Sequence, residues 1–153
     1  CFLTAADLFF LNIWSIEMSF PLEVAEAVAA AAKATTNAEG FPAVCISIVD
    51  AAAHPVLFVR MDGAILGAID VATRKARTAA LFQKDSAELG KIAQPGAICY
   101  SLEHTNGGLI SFGGGVVLRD KNGDLIGAVG ISGASVEEDE IIAHAAARVA
   151  SYA

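Results

Sequence analysis

The stretch Asn106 to Asp139, NGGLISFGGGVVLRDKNGDLIGAVGISGASVEED, leaves few folds open to a chain that carries it. Three short β-type runs lie between glycines: Leu109 to Phe112, Val116 to Arg119 and Leu125 to Ser132. Asn122-Gly123 is a strong hairpin signal, because both central residues of a tight primed turn need positive φ. Leu125 to Ser132 is nearly all apolar or small, the pattern of a central strand covered on both faces. A helix is expected at once after it. Ser135 is a good N-cap, and Glu138 three residues on completes a capping box. Glu137, Glu138, Asp139 and Glu140 crowd the first turn, where carboxylates complement the helix dipole.

The rest of the chain supplies the layers that such strands need. Pro21 to Lys33 reads as a helix with Leu22, Ala25, Val28 and Ala29 at helical spacing, broken by Thr35 to Gly40. Ala43 to Asp50 and Val56 to Met61 read as a hairpin across Ala51-Ala-Ala-His54-Pro55. Ile65 to Phe82 reads as a long helix with a core stripe of Ile65, Ile69, Ala72, Ala76 and Ala80. Asp70 and Arg74 form an i,i+4 pair on its solvent face, with Arg77. Lys75 falls instead beside Ala68, Val71, Ala79 and Phe82, where a lysine either snorkels or meets an anion. Asp85 to Ala93 is a short helix with Asp85 as its cap, and Gln94 to Thr105 is a loop placed to cover a pocket. In the last helix Ile141, Ile142, Ala145 and Val149 are expected to face inward. The order is helix, two strands, helices, three strands, helix, with strands in each group joined by short turns. This is an α+β layer arrangement with an antiparallel sheet.

Composition narrows the function. At 153 residues, 55% hydrophobic and 18% charged, the chain buries one domain's core and is not disordered. Its net charge of −7 and lack of a basic run exclude nucleic acid as the expected partner. High hydrophobicity without a long apolar run points to burial between subunits, hence a homo-oligomer, and no membrane association is expected. Cys1, Cys45 and Cys99 make no CxxC or Cys/His spacing, so neither a disulfide scaffold nor structural zinc is expected. No P-loop, GxGxxG after a strand or GxSxG occurs. Residues 1–17, CFLTAADLFFLNIWSIE, carry no convincing signal peptide, so a cytoplasmic location is expected. They read as an N-terminal arm, either an extension or a segment that docks on a neighbouring subunit. Residues 18–153 form the single domain.

The motifs carry a resemblance. Asn106-Gly-Gly, the Gly113-Gly-Gly segment, Leu118-Arg-Asp, Gly127-Ala-Val-Gly-Ile-Ser-Gly133 and an acidic pair ending in Asp139 resemble the GlcG/HbpS family, the haem-degrading domain or DUF336 group. Val49-Asp50, Arg60-Met-Asp-Gly-Ala64 and Lys75-Ala-Arg-Thr-Ala-Ala-Leu-Phe82 fit it in the same order. The match spans roughly Leu22 to Ala150. It implies a profilin-like, five-stranded antiparallel sheet with helices packed on it, and a closed homo-oligomer. It also implies a small oligomeric haem-binding or haem-processing protein. The family's pocket falls at the glycine-rich loop, so the resemblance implies haem binding by His104, Thr105, Asn106, Gly107 and Gly108, with His104 or Thr105 approaching the iron and His104 the candidate iron ligand or proton carrier. His54 and His144 read as solvated or packing residues. Lys75 and Arg60 are the candidates for haem propionates or an organic acid. Asp62 is a candidate base or a partner that orients Lys75. An alternative is a small-molecule enzyme without haem, acting on an organic acid or biosynthetic intermediate through Asp62, Lys75 and Glu138. A third reading is a non-catalytic assembly module. For the polar residues in these motifs, a structural ion pair competes with catalysis.

Overall fold

In the computed structural model, residues 20–151 are described. The N-terminal arm expected at residues 1–17 lies outside them. The elements are α1 (Leu22–Glu39), β1 (Cys45–Asp50), β2 (Pro55–Arg60), α2 (Ala68–Phe82), α3 (Ser86–Ala93), a 3-10 turn at Leu102–His104, β3 (Gly115–Arg119), β4 (Leu125–Ser132) and α4 (Val136–Ala150). One antiparallel sheet runs in the order β2-β1-β4-β3. The fold is α+β with helices packed on an antiparallel sheet, as expected.

Strand alternation sorts the two faces. Ile46, Ile48, Val129, Ile131, Val116 and Leu118 point to one side and meet Val28, Ala29 and Ala32 of α1 and Ile142, Ala143 and Ala146 of α4. Val49 and Ala128 point to the other side, against Ala76, Ala79 and Ala80 of α2. Cys45 faces that side too, against Ala68 and Ala72. The helix faces are alanine-rich, so α2 lies close on the sheet. Gly130 shows how close: a Cβ there would collide with the Ala72 carbonyl and the Ala76 amide. That strand glycine serves helix-on-sheet packing.

The sheet has four strands among the described residues, not five. Leu109 to Phe112 has strand composition, yet its backbone groups find partners off the sheet. The Leu109 amide donates to the Glu103 carbonyl, the Ile110 amide to Thr78 Oγ1, and the Phe112 carbonyl accepts from Ser86 Oγ. Satisfied in this way, the segment has no need of a ladder. Other expectations shift for equally local reasons. Thr35 to Gly40 does not break α1. Thr36 donates back to the Ala32 carbonyl, and the helix runs to Glu39 before Gly40 ends it at φ 68°. The long helix begins at Ala68 and leaves Ile65 exposed. In the β3–β4 hairpin only Gly123 has positive φ, because Asp120 Oδ1 accepts from the Asn122 and Asp124 amides and builds a different turn. In α4 the inward stripe is Asp139, Ile142, Ala143, Ala146 and Ala150, and Ile141 is exposed. The capping box of Ser135 and Glu138 forms as expected. None of the described helices is long and apolar enough to cross a membrane.

Candidate functional site

Lys75 is fully buried, at 0% exposure. Its position on α2 faces the end of β4, where its Nζ donates to the Ile131 carbonyl and to Asp139 Oδ2, each at 2.8 Å. Asp139 belongs to the first turn of α4 and is 2% exposed. Its other oxygen accepts from the Ala134 amide at 3.1 Å. The third side of the ammonium faces the Phe112 ring, whose centroid is 5.0 Å away. Burial pulls the Lys75 pKa below the ordinary lysine value, against the hydrogen bond and charge of Asp139. Burial likewise lifts Asp139 above the ordinary aspartate value, against its bond to Lys75. Every polar atom of the pair has a partner, so the node joins α2, β4 and α4 as one unit. Gly114 completes its roof at φ 106°. A Cβ there would lie 2.7 Å from Lys75 Nζ and 2.8 Å from the Ile131 carbonyl.

The glycine-rich segment above this node is tied down from three helices. From α2, Arg74 Nη1 donates to the Gly107 carbonyl at 2.5 Å and the Gly108 carbonyl at 3.3 Å, while its Nε holds Asp70 at 2.7 Å. Arg77 reaches the Asn106 carbonyl from both Nη atoms, at 3.4 Å. From α3, Ser86 Oγ donates to the Phe112 carbonyl and accepts from the Gly115 amide at 2.9 Å. Asp85 precedes that helix but caps nothing; its Oδ1 accepts from the Val117 amide at 3.0 Å. From α4, Glu140 accepts from the Gly114 amide. Its other oxygen lies 3.1 Å from His144 Nε2, which is 3.8 Å from Asp85. Asn106, Gly107 and Gly108 all have positive φ, at 52°, 74° and 99°. A run of left-handed backbone including a non-glycine residue is held, not relaxed. Beside the segment a cavity of about 450 Å³ opens between α3 and the chain at Glu103, Ser111, Phe112 and Gly113, with Lys91 among its walls. That size suits a small ligand.

The candidates from the sequence separate on this frame. His104, Thr105 and Asn106 are exposed together on the segment. Thr105 Oγ1 donates to the Leu102 carbonyl and accepts from Asn106 Nδ2. Lys75 lies beneath the segment and is paired with Asp139, not Asp62, which is exposed. Arg60 is exposed at the end of β2, an edge strand two strands away from the Lys75 end of β4 across β1. Glu138 is occupied by the capping box through the Ser135 amide. Residues that sequence reasoning passed over are Arg74 and Arg77, read as solvent-facing, and Thr78, Ser86, Glu140 and Phe112. The i,i+4 spacing of Glu140 and His144 was a visible signal; the others depend on a loop that folds back onto α2. Among the described residues, no group of three or more His, Cys, Asp and Glu side chains is arranged to hold a metal ion. Haem iron needs only one or two protein donors, so this leaves its ligation open to a single histidine.

The sequence and the fold have counterparts. The chain is 44% identical over 104 residues to the corrinoid adenosyltransferase PduO of Salmonella typhimurium, a match covering 67% of this chain and 31% of that protein. The chain thus spans about a third of the enzyme's length. A 15.0 kDa protein encoded between dhaT and dhaS in Citrobacter freundii is 41% identical over 106 residues, 67% of this chain and 72% of its own. Among solved structures, the Klebsiella pneumoniae protein ORFY superposes with a TM-score of 0.81 at 34% identity, covering 85% of this chain and 89% of that one. A PduOC–haem complex gives 0.79 at 37% identity, covering 86% and 95%. HbpS gives 0.77 at 30% identity, covering 88% and 92%. The family model of the haem-degrading protein HbpS-like group matches residues 20–148, and the chain belongs to this HbpS-like family.

Proposed function

We propose that the chain binds haem against the Leu102–Phe112 segment, with His104 as the iron donor. One observation carries this reading. Of the three histidines, His54 lies 3.4 Å from Asp50 and His144 lies 3.1 Å from Glu140. His104 has no carboxylate partner among the described residues, and it is exposed on a segment braced by α2. An accessible imidazole on a held loop suits an axial ligand. Phe112, with Ala87 and Pro95 in the cavity beside it, offers apolar surface for a macrocycle, and Lys91, Glu103 and Ser111 make that cavity's other walls polar. The haem complex of PduOC, at 37% identity over most of both chains, supports the same ligand class. Bound haem would supply its iron chemistry, and this chain would supply the donor, the apolar wall and the charges at the rim. The reading includes a homo-oligomer. Ile65, Leu66, Ile98 and Tyr100 are exposed at 63, 71, 92 and 62%, and contact with a second copy would remove that apolar surface from water.

A hemin titration followed by absorbance tests the proposal, with His104→Ala alongside. A saturable Soret shift at about one equivalent, lost in the variant, is the expected result for a single axial donor. A shift unchanged in the variant keeps haem and moves the donor, with Thr105 next. No saturable shift overturns the haem reading.

A further inference from the structure

Arg77 is a half-buried cation that no carboxylate neutralises among the described residues. Its recorded acceptor is one backbone carbonyl, that of Asn106, shared by two Nη atoms at 3.4 Å. A guanidinium has five N–H donors in a fixed fork, so most of this one's capacity is unused. The protein has 17 acidic residues against 10 basic ones, which makes the missing partner notable. Partial burial of an unpaired charge is unfavourable and raises its attraction for an anion. Arg74, three residues earlier on the same helix, holds Asp70 through Nε and the loop through Nη1, and no hydrogen bond among the described residues is recorded for its Nη2. The loop keeps three successive residues at positive φ while its carbonyls at 106, 107 and 108 meet these two guanidinium groups.

We infer that Arg77, assisted by Arg74, is the seat for a carboxylate of the bound ligand. The ligand class is an amphiphilic molecule with one or two carboxylates. On the haem reading, on which this inference rests for the ligand's position, the carboxylates are the propionates. The seat replaces Arg60 and Lys75, which the sequence had put forward for that role. Lys75 is fully enclosed and paired, and Arg60 is on the far edge strand. Arg77 meets the loop at Asn106, two residues from His104. An iron donor and a carboxylate seat therefore share one short segment. A planar guanidinium binds a carboxylate through two parallel hydrogen bonds, which lysine cannot reproduce.

The test uses iron-free protoporphyrin IX and its dimethyl ester, titrated by porphyrin fluorescence into the wild-type protein, Arg77→Leu and Arg77→Lys, with circular dichroism to check folding. Hemin is titrated in parallel. The wild type is expected to bind the diacid at least about tenfold tighter than the diester, in line with a charge-assisted contact. Arg77→Leu should bring the diacid to the affinity of the ester and leave the ester unchanged, with Arg77→Lys between. Equal wild-type affinities for diacid and diester overturn the inference. Hemin that saturates normally while Arg77→Leu changes nothing also overturns it and leaves the haem reading standing. Arg77-dependent binding of the diacid without a Soret shift for hemin upholds the carboxylate seat and sinks the iron reading. Failure of both porphyrins and hemin overturns both.

Discussion

Lys75 and Arg77 lie two residues apart on α2 and carry the same charge into opposite situations. Lys75 turns under the sheet's end, is wholly enclosed, and has a carboxylate, a carbonyl and an aromatic face around its ammonium. Arg77 turns outward under the glycine-rich loop and has one distant carbonyl. The first charge is complete without a ligand; the second is not. A buried ion pair with every lone pair used adds little net stability, but removing one member is severe because the other is left unpaired. An under-satisfied cation at a rim adds nothing to folding and leaves its capacity for binding. Inward polarity on this helix therefore marks architecture, and outward polarity is what the proposed carboxylate seat would use.

The largest effect expected is at the enclosed pair. Lys75→Met leaves Asp139 buried without its cation, or protonated, and should cost about 3–5 kcal/mol in urea unfolding. Asp139→Leu should cost a similar amount. The double variant should recover most of the loss, since it removes both charges together. Additive losses in the double variant would break the comparison, because Lys75 would then be stabilising the fold through something other than Asp139.

Asp85 lies between the extremes and gives a smaller effect that depends on pH. Burial raises its pKa above the usual aspartate value, against the Val117 amide and the nearby His144. The folded state therefore holds the Asp85 proton more tightly than the unfolded chain does. The stability this contributes is fully present below the unfolded aspartate value and is lost as pH rises through the higher folded value. Asparagine can accept from the Val117 amide but cannot titrate. Asp85→Asn should thus gain stability relative to wild type as pH goes from about 3.5 to 7. Urea unfolding at the two ends measures it. A difference that is flat with pH would show that burial does not govern this carboxylate.

How much of this could be read from sequence follows the distance between partners. The α4 capping box joins Ser135 to Glu138, three residues apart, and it was legible. So was β4, whose apolar run contains its own evidence. Lys75 was legible as an oddity on an apolar flank, but its partner is 64 residues away, and the nearer Asp62 drew the assignment. Leu109 to Phe112 has the composition of a strand. What excludes it from the sheet is the hydroxyls of Thr78 and Ser86, 32 and 26 residues earlier. Helical phase placed Arg74 and Arg77 on the outer face correctly. It could not show that a loop some thirty residues later folds back over them.

The smallest stability effect should come from Arg77, a residue whose loss is expected to weaken binding of the carboxylate ligand. Arg77→Leu removes one weak contact at 3.4 Å and relieves a half-buried charge. Its unfolding free energy should stay within about 0.5 kcal/mol of wild type. Arg74→Leu should cost more, because Arg74 holds Asp70 at 2.7 Å and the loop at Gly107 and Gly108. The two variants differ by three positions on one helix and remove the same charge, so the contrast isolates what the loop requires. If Arg77→Leu unfolds as easily as Arg74→Leu, the Asn106 contact is a structural latch and both arginines belong with Lys75 as architecture. If Arg77→Leu is neutral in urea while the diacid porphyrin loses its advantage, then α2 divides its cations between holding the fold and holding the ligand.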